Sequence, residues 1–533
     1  RCKTGKTSCS SNKEVCNGAI KPTTEVCDGI DNDCDGKTDE RSSPKYPAKG
    51  STCYAGKGVC KRSGKIVCKT IRIGRRTFKT WSCDAKAGSP NASYEKTCTL
   101  NTASQEKYDD DCDGYIDDEC VKRISGTFGS SGSSDGNSTT NLGSHRNPTG
   151  LAWGHDGNRE YLFVSEISNT MIRRLTLTDH GQRVIKRERI VGQVRNNGGS
   201  RNTGQNGEGR NIYLKWPTGL AVAHDQNKKA QYLYFADAGA YTIRRVDLQK
   251  TKNGNNTWDV TTIAGSHNSR GNTNGNIAKL GEVYGLSLSS DNTKLYFSDT
   301  THHNIRVVEL GGTGFANVSL VAGNISGSSG GNDGNGSSAR FFNPVGVSYY
   351  EDKKKNKYLF VLESNNTPQK SPPIGFKIVR WEGRIRRIDL NSGKNNRVET
   401  WVSSDVYRSK CLGNKEFRQL NRPSPIFAAY PRVAMQLAAQ HDRLYVTNSA
   451  GQGYCVFSAT SKNNYRSTEG AGVLFKTGRT DYTTTNSRDT RSNPLFNWTW
   501  GITLRGFGSG AQVVYISEFG NNTVRVHPKP YTP

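Results

Sequence analysis

The feature that most constrains this 533-residue chain is a sequence repeat that occurs six times between Asn147 and the C-terminus. Its fullest copy reads Trp216-Pro-Thr-Gly-Leu-Ala-Val, Tyr232-Leu-Tyr-Phe-Ala-Asp, Thr242-Ile-Arg-Arg-Val-Asp-Leu and Thr262-Ile-Ala-Gly. Each segment is a short β-branched and aromatic run bounded by glycine, asparagine or aspartate, which is typical of buried strands. Four short strands repeated around a ring predict an all-β fold, a six-bladed β-propeller.

The copies align on a glycine that follows the first turn of the repeat. The fifth copy lacks this glycine, and the other five copies have Gly150, Gly219, Gly285, Gly346 and Gly501. The sixth copy ends after Val524-Arg-Val without a fourth strand. Upstream, Arg123-Ile-Ser-Gly-Thr-Phe-Gly resembles the fourth strand of the second copy. We therefore predict that residues 121–129 pair with the last blade and close the ring, which removes an open sheet edge.

An acidic residue ends each second strand, and an arginine follows it in the third strand. These pairs are Glu166 and Arg173, Asp237 and Arg244, Asp299 and Arg306, Glu363 and Arg386, and Glu518 and Arg525. The fifth copy loses both partners together, with Asn448 and Cys455 in their places, which indicates that the two side chains meet. A buried pair that stabilises each blade is favoured over a charged ring lining the channel. Cys455 is expected to form a disulfide with Cys411.

Twelve of the 14 cysteines precede residue 121, and their spacing repeats. In this alignment Cys2, Cys9, Cys16, Cys27 and Cys34 correspond to Cys60, Cys68, Cys83, Cys98 and Cys112. The Cys-x2-Cys pairs of structural zinc sites are missing, which favours a disulfide framework outside the cytosol, although the spacing does not assign partners. Three domains are predicted: a partial cysteine-rich metal-binding repeat (1–42), a second such repeat (43–120), and the propeller closed by strand 121–129 (121–533). Cys53 has no counterpart in the first repeat, so the chain is expected to begin inside a repeat of a longer protein.

Each cysteine-rich repeat ends in a loop dense in carboxylates. Carboxylates at positions 1, 3, 5 and 9, with glycine at position 6, match a calcium loop of the EF-hand type. The predicted Ca2+ ligands are Asp31, Asp33, Asp35, the carbonyl of Lys37, Asp39 and Glu40 in one loop, and Asp109, Asp111, Asp113, the carbonyl of Tyr115, Asp117 and Asp118 in the other. Glu40 and Asp118 would replace the usual glutamate at position 12, unless another loop closes the site. A solvated acidic turn is the simpler alternative.

Two family resemblances rest on these residues. The six-fold cycle resembles the NHL-repeat β-propellers over about residues 121–533. Glu25-Val-Cys-Asp-Gly-Ile-Asp-Asn-Asp-Cys-Asp-Gly, with the cysteine units around it, resembles the MopE-type metal-binding repeats over about residues 1–120. The first resemblance implies a fold without a single function, because NHL propellers include scaffolds, RNA binders, sensor domains and a peptide-amidating lyase. The second implies a metal ion and no reaction.

The net charge of +27, most of it after residue 120, indicates partners of opposite charge such as anionic polysaccharide, with simple solubility as the alternative. Nucleic acid is not expected in an oxidising compartment, and no apolar run approaches the ~18 residues of a membrane span. The nine histidines are not expected to recur at one blade position, which argues against a histidine-held channel metal. We therefore expect a non-catalytic, secreted structural or adhesive protein that self-associates or binds other extracellular proteins, as the subunit of a filament or surface coat. The alternative is a secreted propeller enzyme of the lyase or lactonase type with a channel metal.

Overall fold

The computed structural model describes residues 6–10, 13–17, 27, 50–55, 62–73, 76–85, 122–127, 130–135, 143–178, 181–193, 206–251, 258–311, 316–368, 379–411, 437–440, 442–448, 453–464, 499–505 and 512–529. The chain divides into two compact units, Arg1–Asp118 and Glu119–Pro533. Both carboxylate loops, residues 31–40 and 109–118, lie outside the described residues. The calcium ligands therefore stay predictions, as does the division of the first unit at residue 42.

The N-terminal unit is built from small antiparallel sheets and disulfides. A hairpin and a three-stranded sheet contain β1 (Lys6–Ser10), β2 (Lys13–Asn17), β3 (Thr52–Ala55), β4 (Arg62–Ile73) and β5 (Arg76–Cys83). Disulfides join Cys27 to Cys68 and Cys53 to Cys83, so the predicted disulfide framework is present. The first of them links the two sequence repeats to each other. Sheets this small bury too little apolar surface to fold without such covalent links.

The second unit is a ring of six antiparallel sheets, which confirms the predicted propeller. It begins with β6 (Lys122–Ser125), a strand of the last blade. Blade 1 contains β7 (Pro148–His155), β8 (Glu160–Glu166), β9 (Met171–Thr178) and β10 (Arg183–Val191). Blade 2 contains β11 (Gly207–Glu208), β12 (Pro217–His224), β13 (Ala230–Asp237), β14 (Thr242–Thr251) and β15 (Trp258–Gly265). Blade 3 contains β16 (Val283–Leu288), β17 (Lys294–Asp299), β18 (Asn304–Glu309) and β19 (Val318–Ala322).

The remaining blades follow the same order. Blade 4 contains β20 (Gly334–Asn335), β21 (Pro344–Glu351), β22 (Lys357–Pro368), β23 (Val379–Asp389) and β24 (Arg397–Val402). Helix α1 (Ser404–Cys411) precedes blade 5, whose described strands are β25 (Leu437–Gln440), β26 (Arg443–Asn448) and β27 (Gly453–Ser458). Blade 6 contains β28 (Thr499–Leu504), β29 (Gln512–Glu518), β30 (Thr523–Lys529) and β6. Single turns of 3₁₀ helix lie at Gly209–Asn211, Ala238–Ala240, Thr300–His302 and Gly336–Ser338.

The first strand of every blade lines the centre of the ring. These strands are β7, β12, β16, β21, β25 and β28, each at one edge of its sheet and each in contact with the next around the full circle. The apolar core lies between the blades, where facing sheets bury alternate side chains of their strands. The propeller therefore has a continuous core around a channel formed by six sheet edges.

Strand β6 closes the ring as the fourth strand of blade 6. It pairs antiparallel with β30, with Ser125 opposite Val524 and Lys122 opposite Val526. Ile124 is buried in one apolar cluster with Val524 and with Leu151 of blade 1. This pairing is the ring closure that the missing strand of the sixth copy predicted.

Neighbouring blades are joined by hydroxyl groups and by close backbone contact. Ser165 Oγ of blade 1 donates to the Thr218 carbonyl of blade 2 at 2.6 Å, and Ser517 Oγ of blade 6 donates to the Thr149 carbonyl of blade 1 at 2.6 Å. The same carbonyls explain the repeated glycine. A Cβ atom on Gly150 would lie 2.0 Å from the Thr218 oxygen, so only glycine permits this approach of the two blades.

Candidate functional site

The central channel contains a cavity of about 220 Å³. All six blades contribute to its lining, which consists of Leu151, Ala152, Trp153, Leu220, Ala221, Val222, Gly285, Leu286, Ser287, Leu288, Val347, Ser348, Leu437, Ala438, Ile502 and Thr503. Within the described part of the chain, none of these lining side chains is ionisable. Ser287, Ser348 and Thr503 add hydroxyl groups to the aliphatic side chains of the wall.

Two aromatic residues from opposite blades close one end of this channel. Tyr284 of blade 3 and Trp500 of blade 6 have ring centroids 6.5 Å apart, and Trp500 stacks on Phe519 at 5.1 Å. The side chains of this cluster are almost fully buried, with 3% exposure for Tyr284 and 6% for Trp500. They lie where the inner strands begin, since Tyr284 directly precedes the cavity-lining Gly285. The cavity is therefore blocked at that end.

Three rings lie together where the inner strands of blades 1 and 2 end. Trp153 lies 5.4 Å from His155 and 5.9 Å from His224, and the two imidazoles are 5.7 Å apart, measured between ring centroids. Trp153 Nε1 donates to Glu160 at 3.1 Å, and Glu160 accepts from Arg505 of blade 6. Burial lowers the pKa of His224 to about 4, so this imidazole is neutral at neutral pH.

The expectation that histidines do not recur at one blade position is wrong for His155 and His224. Each is the last residue of an inner strand, five residues after the anchor glycine of its copy. The sequence signal was the equal distance of each histidine from the anchor glycine of its copy. In the fifth copy, where Gln436 replaces the anchor glycine, His441 follows at the same distance. His441 and Gln436 lie outside the described residues.

A three-ligand metal cluster does not form around the two imidazoles within the described ranges. The single group of three close potential ligands found there is Cys53, Cys83 and Asp84. Its two cysteines are joined in a disulfide, so their sulfur atoms are not available as thiolates. The N-terminal unit therefore offers no metal centre at this place.

The repeated acid–arginine pairs are buried inside the blades, as the blade-stabilising interpretation predicted. The atoms of the pair lie 2.6 Å apart in blades 1 and 6, 3.3 Å apart in blade 3 and 3.4 Å apart in blade 4. The guanidinium groups also bind the loops between blades: Arg306 donates to the Lys279 carbonyl and Arg386 to the Arg340 carbonyl, both at 3.0 Å. These charges are used to fix loops to blades and do not line the channel.

Blade 2 differs, because no hydrogen bond between Asp237 and Arg244 joins the described side chains. Asp237 accepts instead from the amides of Lys215 and Trp216, at 2.8 and 2.9 Å, and its other oxygen has no hydrogen-bond partner within the described ranges. Burial raises the pKa of Asp237, although the two amides and the charge of Arg244 act in the opposite direction. This aspartate is therefore less well compensated than its equivalents in the neighbouring blades.

A buried chain of hydrogen bonds runs through Ser125, His145 and Glu166. Ser125 Oγ lies 2.7 Å from His145 Nε2, and His145 Nδ1 lies 2.6 Å from Glu166. The order is that of a hydrolase triad, but all three side chains are at most 1% exposed, and Ser125 Oγ also accepts from Arg187 at 3.0 Å. A substrate cannot reach this serine, so the chain of bonds fastens the closing strand to blade 1.

The electrostatics of this chain of bonds follow from the arginine beside it. Burial alone would raise the pKa of Glu166, but Arg173 and His145 hold it below its ordinary value. Glu166 is therefore an ionised carboxylate. It pairs with Arg173 within blade 1 and also contacts His145 in the chain of bonds that holds the closing strand. The pair was predictable because it repeats, whereas Ser125 and His145 occur once and follow no spacing pattern that could have revealed them.

Comparisons with known proteins support the fold. No family model matches the chain. NHL repeat-containing protein 2 of Bos taurus is 31% identical over 166 residues, which cover 31% of this chain and 21% of that protein, and the Homo sapiens protein is 29% identical over the same length. The chain thus matches about a fifth of the length of these relatives. The similarity supports a propeller of the NHL-repeat type, whereas the MopE-type repeats stay a resemblance.

Some solved structures are similar to the chain at TM-scores below 0.5, and no conclusion is drawn from them. They include a gluconolactonase from Xanthomonas campestris, with 12% identity, a TM-score of 0.38, and coverage of 73% of this chain and 87% of that one. Another is a protein of unknown function from Bacteroides thetaiotaomicron, with 14% identity, a TM-score of 0.43, and coverage of 90% and 92%. In the described part of the chain, no helix has the length and apolar character needed to cross a membrane.

Proposed function

We propose that the chain is a non-catalytic structural or adhesive protein of the extracellular surface. The observation that carries this proposal is the structural use of the charged pairs that the repeat places in five of the six blades. The buried acid–arginine pairs fix loops and blades, and the cavity lining holds no ionisable side chain in the described residues. A propeller of this kind is a rigid head suited to binding and assembly.

The disulfides support an oxidising compartment. Cys411 of α1 is joined to Cys455 of β27, both buried, in the blade that lacks the acid–arginine pair. Together with the two disulfides of the N-terminal unit, it supports the proposal that the protein folds and works outside the cytosol. The covalent link replaces the missing ion pair of blade 5, and it would be lost in a reducing cytosol.

The N-terminal unit is proposed to be an arm stiffened by calcium. The support is the sequence pattern of the two carboxylate loops, which supplies the hard oxygen ligands that calcium prefers. The basic propeller, with its large share of the +27 net charge, would bind acidic surfaces, either anionic polysaccharide or the acidic loops of another copy. Head-to-tail contacts of that kind propagate into filaments unless they close.

The test uses the full chain purified with calcium, compared with the same protein after chelation. Electron microscopy and light scattering are expected to show polymers at low salt, and heparin, used as the anionic probe, is expected to bind with an affinity that falls as salt rises. A monodisperse chain that binds no heparin in calcium at low salt would contradict the proposal.

The recurring histidines favour a second candidate, a secreted propeller enzyme with a metal at the channel mouth. His155 and His224 come from neighbouring blades and face each other at 5.7 Å between ring centroids. If this candidate is correct, lactone hydrolysis or lyase activity is expected in the wild-type chain, and the double variant His155→Asn/His224→Asn is expected to lose it. Polymer formation would be the same in both proteins.

A further inference from the structure

We propose that the central cavity is a binding site for a neutral, hydroxylated ring, such as the terminal sugar residue of a glycan. This inference goes beyond the scaffold function and does not depend on it. It rests on the size of the cavity, on its single closed end and on the chemistry of its wall. Each of these features comes from the described inner strands of the propeller.

The shape of the cavity selects a small ligand. The Tyr284–Trp500 contact blocks one end of the channel, so a ligand enters from the end where the inner strands stop. The inner-strand residues change in that direction from buried, as at Leu151, to partly exposed, as at Trp153. A volume of about 220 Å³ holds roughly seven waters at about 30 Å³ each. This is room for one sugar ring and not for an extended chain.

The polar groups of the wall suit a ligand that both donates and accepts hydrogen bonds. Ser287, Ser348 and Thr503 bring hydroxyl groups into the cavity from three different blades. The Tyr349 amide donates to Ser287 Oγ at 2.8 Å, and the Ala439 amide donates to Ser348 Oγ at 3.0 Å. These bonds hold the two oxygens in place and leave each hydroxyl proton to be donated to a ligand.

The absence of ionisable groups from the described lining selects against a charged ligand. Burying a charge without a partner is costly, whereas a neutral hydroxylated ring loses only water contacts that the hydroxyl groups of the wall can replace. Trp153 adds one broad aromatic surface at the open end, held in place by its bond to Glu160. The wall thus combines aliphatic side chains and one aromatic ring with placed polar groups, the kinds of group that small-molecule sites use.

The experiment measures binding of methyl glycosides of glucose, galactose and N-acetylglucosamine to the full chain by saturation-transfer NMR. At least one glycoside is expected to bind in the millimolar range or tighter, and glucuronate more weakly. Thr503→Val keeps the side-chain shape, and loss of one hydrogen bond is expected to weaken binding about fivefold. Trp153→Phe is expected to weaken binding as well, because it shrinks the aromatic surface.

Matched substitutions control for stability. Thr261 lies on the outer strand β15, and Trp216 packs against the aromatic cluster at the closed end. The variants Thr261→Val and Trp216→Phe are therefore expected to bind the glycosides like the wild type. Thermal melts identify any variant that fails to fold. The inference is overturned if folded wild-type protein binds none of the glycosides, if glucuronate binds more tightly than they do, or if Thr503→Val binds as the wild type. Heparin binding and polymer formation would be unaffected by that result, so the proposed scaffold function is tested separately.

Discussion

The anchor glycines Gly150 and Gly501 leave no room for a Cβ atom where two neighbouring blades meet. We predict that Gly501→Ala lowers the free energy of unfolding by about 1–3 kcal/mol, the usual cost of overpacking, because the new Cβ would lie 2.1 Å from the Thr149 carbonyl. Gly311→Ala is the matched control, since nothing lies within 4 Å of its Cβ position. Denaturant titration measures both. Equal stability of the two variants would contradict the close approach of blades 6 and 1.

The half-buried imidazole of His224 predicts a dependence of stability on pH. Its pKa falls from an ordinary 6.5 to about 4 in the folded chain, so the unfolded chain takes up the proton first as the pH drops. The contribution of His224 is present in full above the ordinary pKa and is lost as the pH falls from 6.5 toward 4. Between about pH 7 and pH 5, we expect the wild type to lose on the order of 1–2 kcal/mol more than His224→Phe. Parallel pH profiles of the two proteins, measured by denaturant titration, would show that the pKa of His224 is not lowered in the folded chain.

At the scale of elements, the closing strand β6 is predicted to hold the ring together. Ile124→Asp places a charge in the apolar cluster around Val524 and Leu151, and should cost at least about 3 kcal/mol. It should also expose β30 as an open edge that associates with other chains. Size-exclusion chromatography and thermal melts provide the measurement. Ser130→Asp, at an exposed position after the strand, is the control and should behave as the wild type.

The Cys411–Cys455 disulfide takes the structural place of an ion pair in blade 5. It spans 44 residues of sequence, a separation for which loop-closure entropy predicts about 3–4 kcal/mol of stabilisation. The variant Cys411→Ala/Cys455→Ala is therefore expected to unfold at a lower denaturant concentration than the wild type. Because this variant has no disulfide in blade 5, added reductant should not lower the stability of the blade any further. A variant as stable as the wild type would mean that the helix α1 is held by other contacts.

The elements that the sequence predicted are those whose signal repeats. Strands of blades 1 to 4, the acid–arginine pairs and the closing strand follow from six aligned copies, because each copy buries the same positions against its neighbours. The Cys411–Cys455 bond followed from the loss of both partners in one copy. The Ser125–His145–Glu166 chain and the Tyr284–Trp500 block could not be predicted, because side chains from different blades meet there and no periodic pattern records such contacts.

At the scale of the whole molecule, the arm and the propeller are predicted to respond differently to loss of calcium. Chelation should make residues 1–120 sensitive to protease and leave the propeller folded, since the ligands are local while the blades have their own core. Limited proteolysis with mass spectrometry identifies the cleaved segment. Magnesium added to the chelated protein is the control and should not restore protection, because its small octahedral shell fits such loops poorly. Cleavage unchanged by chelation would make the loops ordinary acidic turns.

The sequence was less informative about function than about fold, for a physical reason. A repeat fixes the positions that every blade uses for packing, so the common residues report stability. Binding depends on residues that differ between blades, such as Trp153 and Thr503, and their meeting at one cavity becomes visible only when the ring closes. The equivalent positions of His155 and His224 could have been found by counting from the anchor glycines.

The metal content of the purified chain, compared with that of His155→Asn/His224→Asn, decides between a calcium-binding scaffold and a propeller enzyme. Inductively coupled plasma mass spectrometry on both proteins identifies the bound metals, and so distinguishes calcium in the N-terminal loops from a transition metal at the channel. We predict one calcium ion for each carboxylate loop in both proteins, and no transition metal that depends on the two histidines. A stoichiometric zinc, iron or copper ion in the wild type that is absent from the double variant, with no calcium in either, would contradict it.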